Sequence, residues 1–171
     1  MIMAFSNEDE ARAALESLCE NRFHLIPEVN LTHCVTGRRL RIDYIAAPMF
    51  DGFPMPFFGI EVKSGVGVRG DQVDSAITKP ICQCVDYNNS KICDDRMGSL
   101  NAYPVGTCFV FPGIDVRPHV DINRLAGGLR VGFMPVVDGV LYLNMCSHPI
   151  WSSDRGVRRH NFGNAKKVGS R

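Results

Sequence analysis

The chain has 171 residues, of which 45% are hydrophobic and 22% are charged, and its formal net charge is +1. These values are ordinary for a globular protein, they exclude disordered and collagen-like classes, and the length suits one domain with its own core. No apolar run approaches the roughly 20 residues that cross a bilayer, and the acidic segment 1–10 lacks the pattern of a secretory signal. We therefore expect a cytoplasmic protein without a membrane partner.

The first part of the chain predicts a helix followed by strands. Ser6-Asn7-Glu8-Asp9 resembles a capping box, and small or apolar residues recur at helical spacing as far as Leu18. This pattern predicts a helix over about 7–21, which Pro27 follows. Apolar and alternating segments predict three strands, over 28–35, 38–47 and 57–64.

The second part predicts a helix, a strand and a hairpin. Thr78-Lys79-Pro80 has the composition of a helix start, because proline is tolerated in the first turn, and this helix should reach about Asn88. The apolar segment 107–111 predicts a strand inside the sheet, and Asp138-Gly139 between two apolar segments is a strong hairpin signal. The order of elements predicts an α/β fold, with a mixed central sheet flanked by helices and a C-terminal β-hairpin.

Two neighbouring strands carry the charged side chains that point most directly to a function. Glu61 and Lys63 are two residues apart, so they share one face of their strand, while Ile60 and Val62 point into the core. Asp43 ends the preceding apolar strand, and a hairpin would bring it beside Glu61. The two carboxylates are hard oxygen ligands of the kind that Mg²⁺ prefers. Lys63 is then placed to orient a water or to stabilise the negative charge that develops on a phosphate.

The helix that follows carries two further polar side chains. Gln83 and Tyr87 lie four residues apart and therefore on one helix face. They follow the Glu61 strand at the distance that a crossover helix requires. We expect their polar ends to reach the same cleft.

With these residues in place, the chain resembles the PD-(D/E)XK nuclease superfamily, and within it the RecB-like nucleases and their CRISPR-associated relatives. The motifs that carry the resemblance are Arg41-Ile42-Asp43, Gly59-Ile60-Glu61-Val62-Lys63 and Gln83-Cys84-Val85-Asp86-Tyr87. Ile42 stands where the superfamily name has proline. The resemblance covers roughly residues 6–112 and implies a restriction-endonuclease-like αβββαβ core, in a single nuclease-like domain over 1–154.

The resemblance also implies a role for each matching residue. The implied catalytic set is Asp43, Glu61, Lys63, Gln83 and Tyr87. Asp43 and Glu61 match ligands of Mg²⁺ or Mn²⁺, with the carbonyl of Val62 as a further oxygen. Lys63 matches the catalytic lysine, and the two helix residues match those that position the metal site or the nucleic-acid backbone.

A glutamate of the first helix often completes the metal site in this superfamily. Glu8 is favoured here because Ala11 and Leu15 lie on its face of the predicted helix. Glu16 and Glu20 stay open as alternatives.

The C-terminal segment 155–171 contains six basic residues and no acid. A basic tail of this kind often contacts nucleic acid, although a solvated chain end has the same composition. The candidate nucleic-acid-binding residues are Arg155, Arg158, Arg159, Lys166 and Lys167.

The remaining signals concern sulfur and tryptophan. The seven cysteines are an odd number and scattered through predicted elements, which predicts reduced, mostly buried thiols in place of a disulfide framework. Trp151, the only tryptophan, either stacks on a base or seals the last hairpin, and sealing is favoured.

Together these features predict a Mg²⁺- or Mn²⁺-dependent nuclease that hydrolyses phosphodiester bonds of DNA. Processing, recombination and defence are the expected settings, with a phage or mobile element as an expected source. The alternative is a catalytically inactive nuclease-fold module that binds nucleic acid or protein. The sequence leaves open whether a second copy of the chain or a partner protein takes part.

Overall fold

The computed structural model describes residues 5, 7–64, 73–111, 120–146 and 148–157. Its helices are α1 (Glu8–Cys19), α2 (Val73–Asn88) and α3 (Val120–Gly128), with a 3₁₀ helix at Asp95–Leu100. Its strands are β1 (Phe23–His33), β2 (Arg39–Pro48), β3 (Phe58–Val62), β4 (Ser90–Ile92), β5 (Cys108–Phe111), β6 (Val131–Phe133), β7 (Val136–Val137), β8 (Val140–Met145), β9 (His148–Ser152) and β10 (Gly156–Val157).

The strands join in one sheet, with the order β10-β9-β8-β6-β5-β3-β2-β1-β4 and with β7 paired to β8. Strand β5 is parallel to both β3 and β6, and the other pairs are antiparallel. Helix α2 lies in the connection from β3 to β5, as a parallel pair requires. The predicted α/β class with a mixed sheet is confirmed, and the hairpin at Asp138-Gly139 is confirmed by the pairing of Val137 with Val140.

The sheet separates two apolar clusters, one on each face. The cluster under α1 includes Ala11 and Leu15 with Ile60 and Val62 of β3. The cluster under α2 is built from a different set of buried side chains, among them Val29, Ile42, Cys84, Tyr87, Cys108 and Val110. Every residue of β3 is buried. This strand therefore lies inside the sheet, and its charged residue Glu61 is buried.

Helix α1 begins with an N-cap that lies within the segment resembling a capping box. Asn7 is the N-cap, and its side-chain oxygen accepts a hydrogen bond from the backbone N–H of Glu10 at 2.8 Å. This bond satisfies one of the amide groups that a helix start leaves without a partner. The helix ends at Cys19, within two residues of the predicted end.

Two predicted boundaries are wrong, and proline explains both. Helix α2 begins at Val73, five residues before the predicted start at Thr78, so Pro80 lies inside the helix, although the predicted end at Asn88 is confirmed. Strand β1 begins at Phe23 and continues through Pro27, which the sequence suggested lies outside it. Strand β4 pairs with β1 only from Leu31 to His33, so Pro27 has an open side where its missing N–H is not needed.

Aromatic side chains fill the α1 face of the sheet. Trp151 on β9 is fully buried, and its ring centroid lies 4.9 Å from that of Phe23 in an edge-to-face arrangement. Phe50, from the loop after β2, stacks on the same indole at 6.2 Å. The structural role predicted for Trp151 is therefore confirmed. The prediction of mostly buried thiols is wrong: all seven cysteines are free, but only Cys19, Cys84 and Cys108 are buried.

Gly59 allows β3 to pack tightly against its neighbouring strands β2 and β5. A methyl group at this position would lie 2.5 Å from Cδ1 of Ile42 and 2.6 Å from Sγ of Cys108, both of them buried. We expect Gly59→Ala to lower the free energy of unfolding by about 1–3 kcal/mol, because overpacking displaces core side chains. Urea denaturation measures this change. Gly128→Ala, where no atom lies within 4 Å of the added methyl, is the control and should change stability little; equal stability of both variants would contradict the expectation.

Candidate active site

Strands β2 and β3 separate at the point where the predicted acidic residues lie. Their pairing runs from Ala46 and Phe58 to Tyr44 and Ile60 and stops there. The next residues on the two strands are Asp43 and Glu61. Beyond this point the N–H of Val62 donates to Oδ2 of Asp43 at 2.7 Å, in place of a bond between strands. We call this place, formed by Asp43, Glu61, Val62 and Lys63, the fork.

Asp43 lies in the interior of β2, not at its end as predicted. The β1–β2 pairing has no pair at Glu28 and Asp43, although it continues on both sides of them. Glu28 has a φ of +55°, a backbone conformation that residues with a side chain seldom adopt and that clusters at functional sites. A local irregularity of the sheet thus accompanies the position of Asp43 at the fork.

Glu61 is a buried carboxylate with two hydrogen-bond donors. It is 2% exposed, Nζ of Lys63 lies 2.7 Å from its Oε1, and the hydroxyl of Tyr87 donates to its Oε2 at 3.2 Å. Burial raises the pKa of Glu61, and the negative charge of Asp43 raises it further, against the opposing effects of Lys63 and Tyr87. The geometry agrees with this effect, because Oδ2 of Asp43 accepts a hydrogen bond from the N–H of Val62, the residue next to Glu61.

Lys63 combines a buried contact with access to solvent. Its side chain is 33% exposed, and its ammonium contacts Glu61. Burial lowers the pKa of Lys63, but the hydrogen bond and the charge of Glu61 outweigh this effect, and Glu8 and Asp43 add to it, so the pKa is raised. Lys63 is therefore a protonated cation at neutral pH with one open side.

Helix α2 contributes Tyr87 to the fork. The Tyr87 hydroxyl lies 3.2 Å from Oε2 of Glu61 and also 3.2 Å from the carbonyl of Arg41. Burial and the neighbouring Glu61 charge raise the pKa of Tyr87, so it stays a hydrogen-bond donor. Gln83 lies one turn earlier and is half-buried, and its Oε1 has no hydrogen-bond partner in the described part of the chain. The structure thus brings Tyr87 to Glu61 and records no such contact for Gln83.

Arg12 of α1 contacts the fork, and this contact was not predicted from the sequence. Its guanidinium forms an ion pair with Oδ1 of Asp43 and further pairs with Glu8 at 3.3 Å and Glu28 at 3.4 Å. It also lies over the ring of Tyr44, 5.6 Å from the centroid. The spacing of Glu8 and Arg12, four residues apart on a helix, was the available signal. Nothing in that spacing indicates the contact with Asp43.

The first-helix glutamates differ in their distance from the fork. The charge of Glu8 acts on Lys63, and Glu8 pairs with Arg12, so this glutamate is near the fork. Glu16 accepts a hydrogen bond from the hydroxyl of Tyr44 at 2.7 Å. Glu20 is the exposed C-cap of α1. Glu8, the residue favoured from the sequence, is therefore the one that acts on the predicted lysine.

The donor atoms of the fork are suited to a hard cation. Asp43 and Glu61 supply carboxylates, and the carbonyl of Val62 points towards β2 because the N–H and C=O of a strand residue share one side. Such an all-oxygen set fits Mg²⁺ or Mn²⁺. Over the described ranges, no group of three or more His, Cys, Asp or Glu side chains is arranged to hold a metal. The fit therefore depends on two carboxylates and one backbone oxygen.

Of the five predicted nucleic-acid-binding residues, only Arg155 lies within the described ranges. Arg155 is exposed, and its Nε lies 3.3 Å from Oδ2 of Asp154 in the turn before β10. Four further predicted nucleic-acid contacts lie outside the described residues, namely Arg158, Arg159, Lys166 and Lys167.

No protein family, curated protein or solved structure matches the chain in comparisons of its sequence and fold. No helix of the described ranges is long and apolar enough to span a membrane.

The raised pKa of Glu61 predicts how stability depends on pH. A carboxyl group whose pKa is raised on folding contributes stability that is present below its unfolded pKa of about 4.5 and is lost as the pH rises through its folded pKa. Glu61→Gln keeps the neutral form at every pH. We therefore expect the stability of Glu61→Gln relative to the parent protein to increase as the pH rises above about 4.5. Urea unfolding in the presence of a chelator, at a series of pH values, measures this difference.

The exposed residue Glu20 provides the matched control for that measurement. Glu20→Gln makes the same chemical change at the exposed end of α1, so it controls for the loss of a carboxylate that is not buried. A stability difference for Glu61→Gln that does not change with pH would contradict the proposed effect of burial.

Proposed function

We propose that the protein is a Mg²⁺- or Mn²⁺-dependent nuclease of the PD-(D/E)XK type that hydrolyses phosphodiester bonds of DNA. The observation that supports this proposal best is the fork, where buried Glu61 contacts the Lys63 ammonium at 2.7 Å and interacts with Asp43. Burying a charged group in a central strand is costly even when the group is paired, and a buried ionisable residue with a shifted pKa favours a functional site. The element order α1-β1-β2-β3-α2-β5 agrees with the αβββαβ core of that superfamily, with β4 added at the outer edge.

The proposed metal ligands are Asp43, Glu61 and the carbonyl of Val62. A divalent ion bound there would supply Lewis-acid polarisation of the phosphate and acidification of water. In the hydrolysis, a water oxygen forms a bond to phosphorus and gives up a proton to solvent, the bond from phosphorus to the leaving oxygen breaks, and the leaving oxygen takes up a proton from solvent. The chain's own side chains then have to position the phosphate and balance its charge.

Lys63 and Tyr87 have distinct parts in this proposal. The Lys63 ammonium is partly open to solvent, so it can face a phosphate and offset the negative charge that grows in the transition state. Tyr87 holds Glu61 by a hydrogen bond to Oε2 and thereby fixes the orientation of the carboxylate. Neither residue reads a base, so we propose cleavage with little sequence specificity. DNA processing, recombination or defence, in a phage or mobile element, is the setting that suits such an enzyme.

One observation favours the second candidate, a nuclease-fold module that binds without cleaving. Arg12 already pairs with Oδ1 of Asp43, so a permanent cation occupies part of the coordination that a metal would need. A protein that had lost catalysis would be stabilised by such a contact, because it neutralises the acid without a metal. The two candidates share the fork and differ only in turnover.

Digestion of DNA by the full chain separates the two candidates. Linear, nicked, branched and single-stranded DNA are incubated with Mg²⁺, with Mn²⁺ and with a chelator. The nuclease proposal expects cleavage that requires a divalent ion and that the chelator stops. Binding of DNA without cleavage in either ion would replace it with the binding-module proposal.

A further inference from the structure

The outer part of the sheet, formed by β2, β1 and β4, has an open polar face on the side of α1. Its buried side chains, Leu31, Ile42 and Ile92, belong to the α2 cluster, and the partly buried Leu40 packs against that cluster. The alternate residues on the same strands point the other way because strand side chains alternate. These polar residues are Asn30, Thr32, Arg39, Arg41 and Lys91, which we call the polar face.

Strand register places the cations of this face close together. Arg39 pairs with Thr32, which pairs in turn with Lys91 on β4. Arg41 is opposite Asn30 on β1. Given the usual sheet spacings, Arg39 lies about 7 Å along the strand from Arg41 and about 10 Å across the strands from Lys91. Three cations therefore share a small surface with an amide and a hydroxyl between them.

The acids near the polar face leave much of its positive charge uncompensated. Glu28 pairs with Arg41 at 2.8 Å and also with Arg12, while Asp94 pairs with Arg96 at 2.7 Å. Neither Arg39 nor Lys91 has an ion-pair partner in the described residues. Two neighbouring cations, Arg39 and Lys91, that have no counter-ion in the described ranges favour an anionic partner.

The shape of the polar face agrees with a binding role. A concavity of about 290 Å³ lies beside Asn30, Thr32 and Arg39 of this face. The lining residues are Asn30, Leu31, Thr32, Arg39, Leu40 and Cys93. Arginine, asparagine and threonine side chains are all donors that contact phosphate oxygens in protein–DNA complexes.

The polar face is continuous with the fork. Arg39, Arg41 and Asp43 follow one another at every second position of β2, so the two arginines lead along the strand to the proposed metal ligand. Glu28 bridges Arg41 and Arg12 at the junction. An extended polyanion bound along β2 would therefore end at Asp43.

We propose that the polar face binds the phosphate backbone of the DNA and leads it to the fork. This inference rests on the proposed function for its substrate and adds the surface that holds that substrate. It assigns DNA binding to Arg39, Arg41 and Lys91 in addition to the basic C-terminal residues. Because these groups contact phosphates, the binding is independent of base sequence and depends steeply on salt.

Binding measured without cleavage tests the proposal. Fluorescence anisotropy of a labelled DNA duplex is followed in chelator, over a range of salt concentrations, with the full chain. Arg39→Gln/Arg41→Gln should bind about tenfold more weakly at moderate salt, with a salt slope smaller by about 2, since each phosphate contact contributes about 1. Arg39→Gln alone should lose about half of that slope, and it breaks no ion pair of the described structure.

Arg38→Gln is the matched control. Arg38 is also an exposed arginine, but it pairs with Asp86 of α2, away from the polar face. This variant should bind DNA as the parent protein does. If the double variant keeps the parent affinity and salt slope, or if the parent protein binds no DNA, the proposal is overturned.

The binding measurement and the cleavage measurement can fail independently of each other. Weaker binding of the double variant, together with a parent protein that binds but does not cleave DNA, supports the polar face and overturns only the catalytic proposal. Cleavage by the parent protein with unchanged binding of the double variant overturns the polar face and leaves the catalytic proposal intact.

Discussion

Lys63→Ala should cleave DNA about 100- to 1,000-fold more slowly than the parent protein at saturating DNA, which is the usual effect of removing one group that stabilises transition-state charge. Lys63 is the cation that contacts buried Glu61 and still has an open side. In the proposed mechanism its loss removes the positive charge assigned to the phosphate, and it leaves the Glu61 carboxylate with one donor fewer. Single-turnover cleavage rates measure the effect, because they exclude product release.

The control for Lys63→Ala is a cation just before β1, away from the fork. Arg22 is exposed and follows α1 close to the start of β1, several residues along the strand from the fork. Arg22→Ala should cleave at the parent rate. Circular dichroism has to show that Lys63→Ala is folded, and a folded Lys63→Ala protein that cleaves at the parent rate would remove Lys63 from the mechanism.

Asp43→Asn should also lose cleavage by at least about 100-fold, but for a different reason. The change keeps the shape of the side chain, so an oxygen can still accept the hydrogen bond from Val62 N–H. It removes the charge that a divalent cation needs, and hard cations prefer carboxylate oxygen to a neutral amide. We therefore expect the rise in melting temperature on addition of Mn²⁺ to be absent or much reduced in Asp43→Asn.

Thermal unfolding with and without Mn²⁺ measures this change independently of DNA cleavage. Asp51→Asn, in the exposed loop after β2, is the matched control and should keep the Mn²⁺ response of the parent protein. An Asp43→Asn protein with parent-like Mn²⁺ stabilisation and cleavage would show that the metal is held elsewhere. Retained stabilisation with lost cleavage would assign Asp43 a part in catalysis other than metal binding.

Local patterns predicted those elements whose structure depends on nearby residues. The cap at Asn7 and the turn at Asp138-Gly139 are set by side-chain and backbone preferences over a few residues, and both are present. The alternation that buries Ile60 and Val62 under α1 is equally local. The start of α2 was missed because Pro80, a local signal for a helix start, is accommodated inside a longer helix.

The site could be predicted only as a set of residues, not as a set of contacts. Spacing placed Tyr87 on the face that reaches Glu61, and the bond between them agrees with that expectation. Spacing also suggested that Gln83 would do the same, but Gln83 lies about one helical turn, roughly 5.4 Å, from Tyr87 along α2, and no bond from it to Glu61 is found in the described residues. The pair of Arg12 and Asp43 joins residues far apart in the chain, and no periodic pattern encodes such a contact.

The ion pair between Arg12 and Asp43 bears on whether the chain needs a metal ion in order to fold. In proteins whose acidic ligands depend on the metal for charge balance, folding and metallation are one event, and chelators unfold them. Here the polypeptide provides its own positive counterpart for Asp43, so the apoprotein has no need to wait for an ion before it acquires its shape. We expect the chain to stay folded during purification in chelator; under the proposed function it would then cleave DNA only after a divalent salt is added.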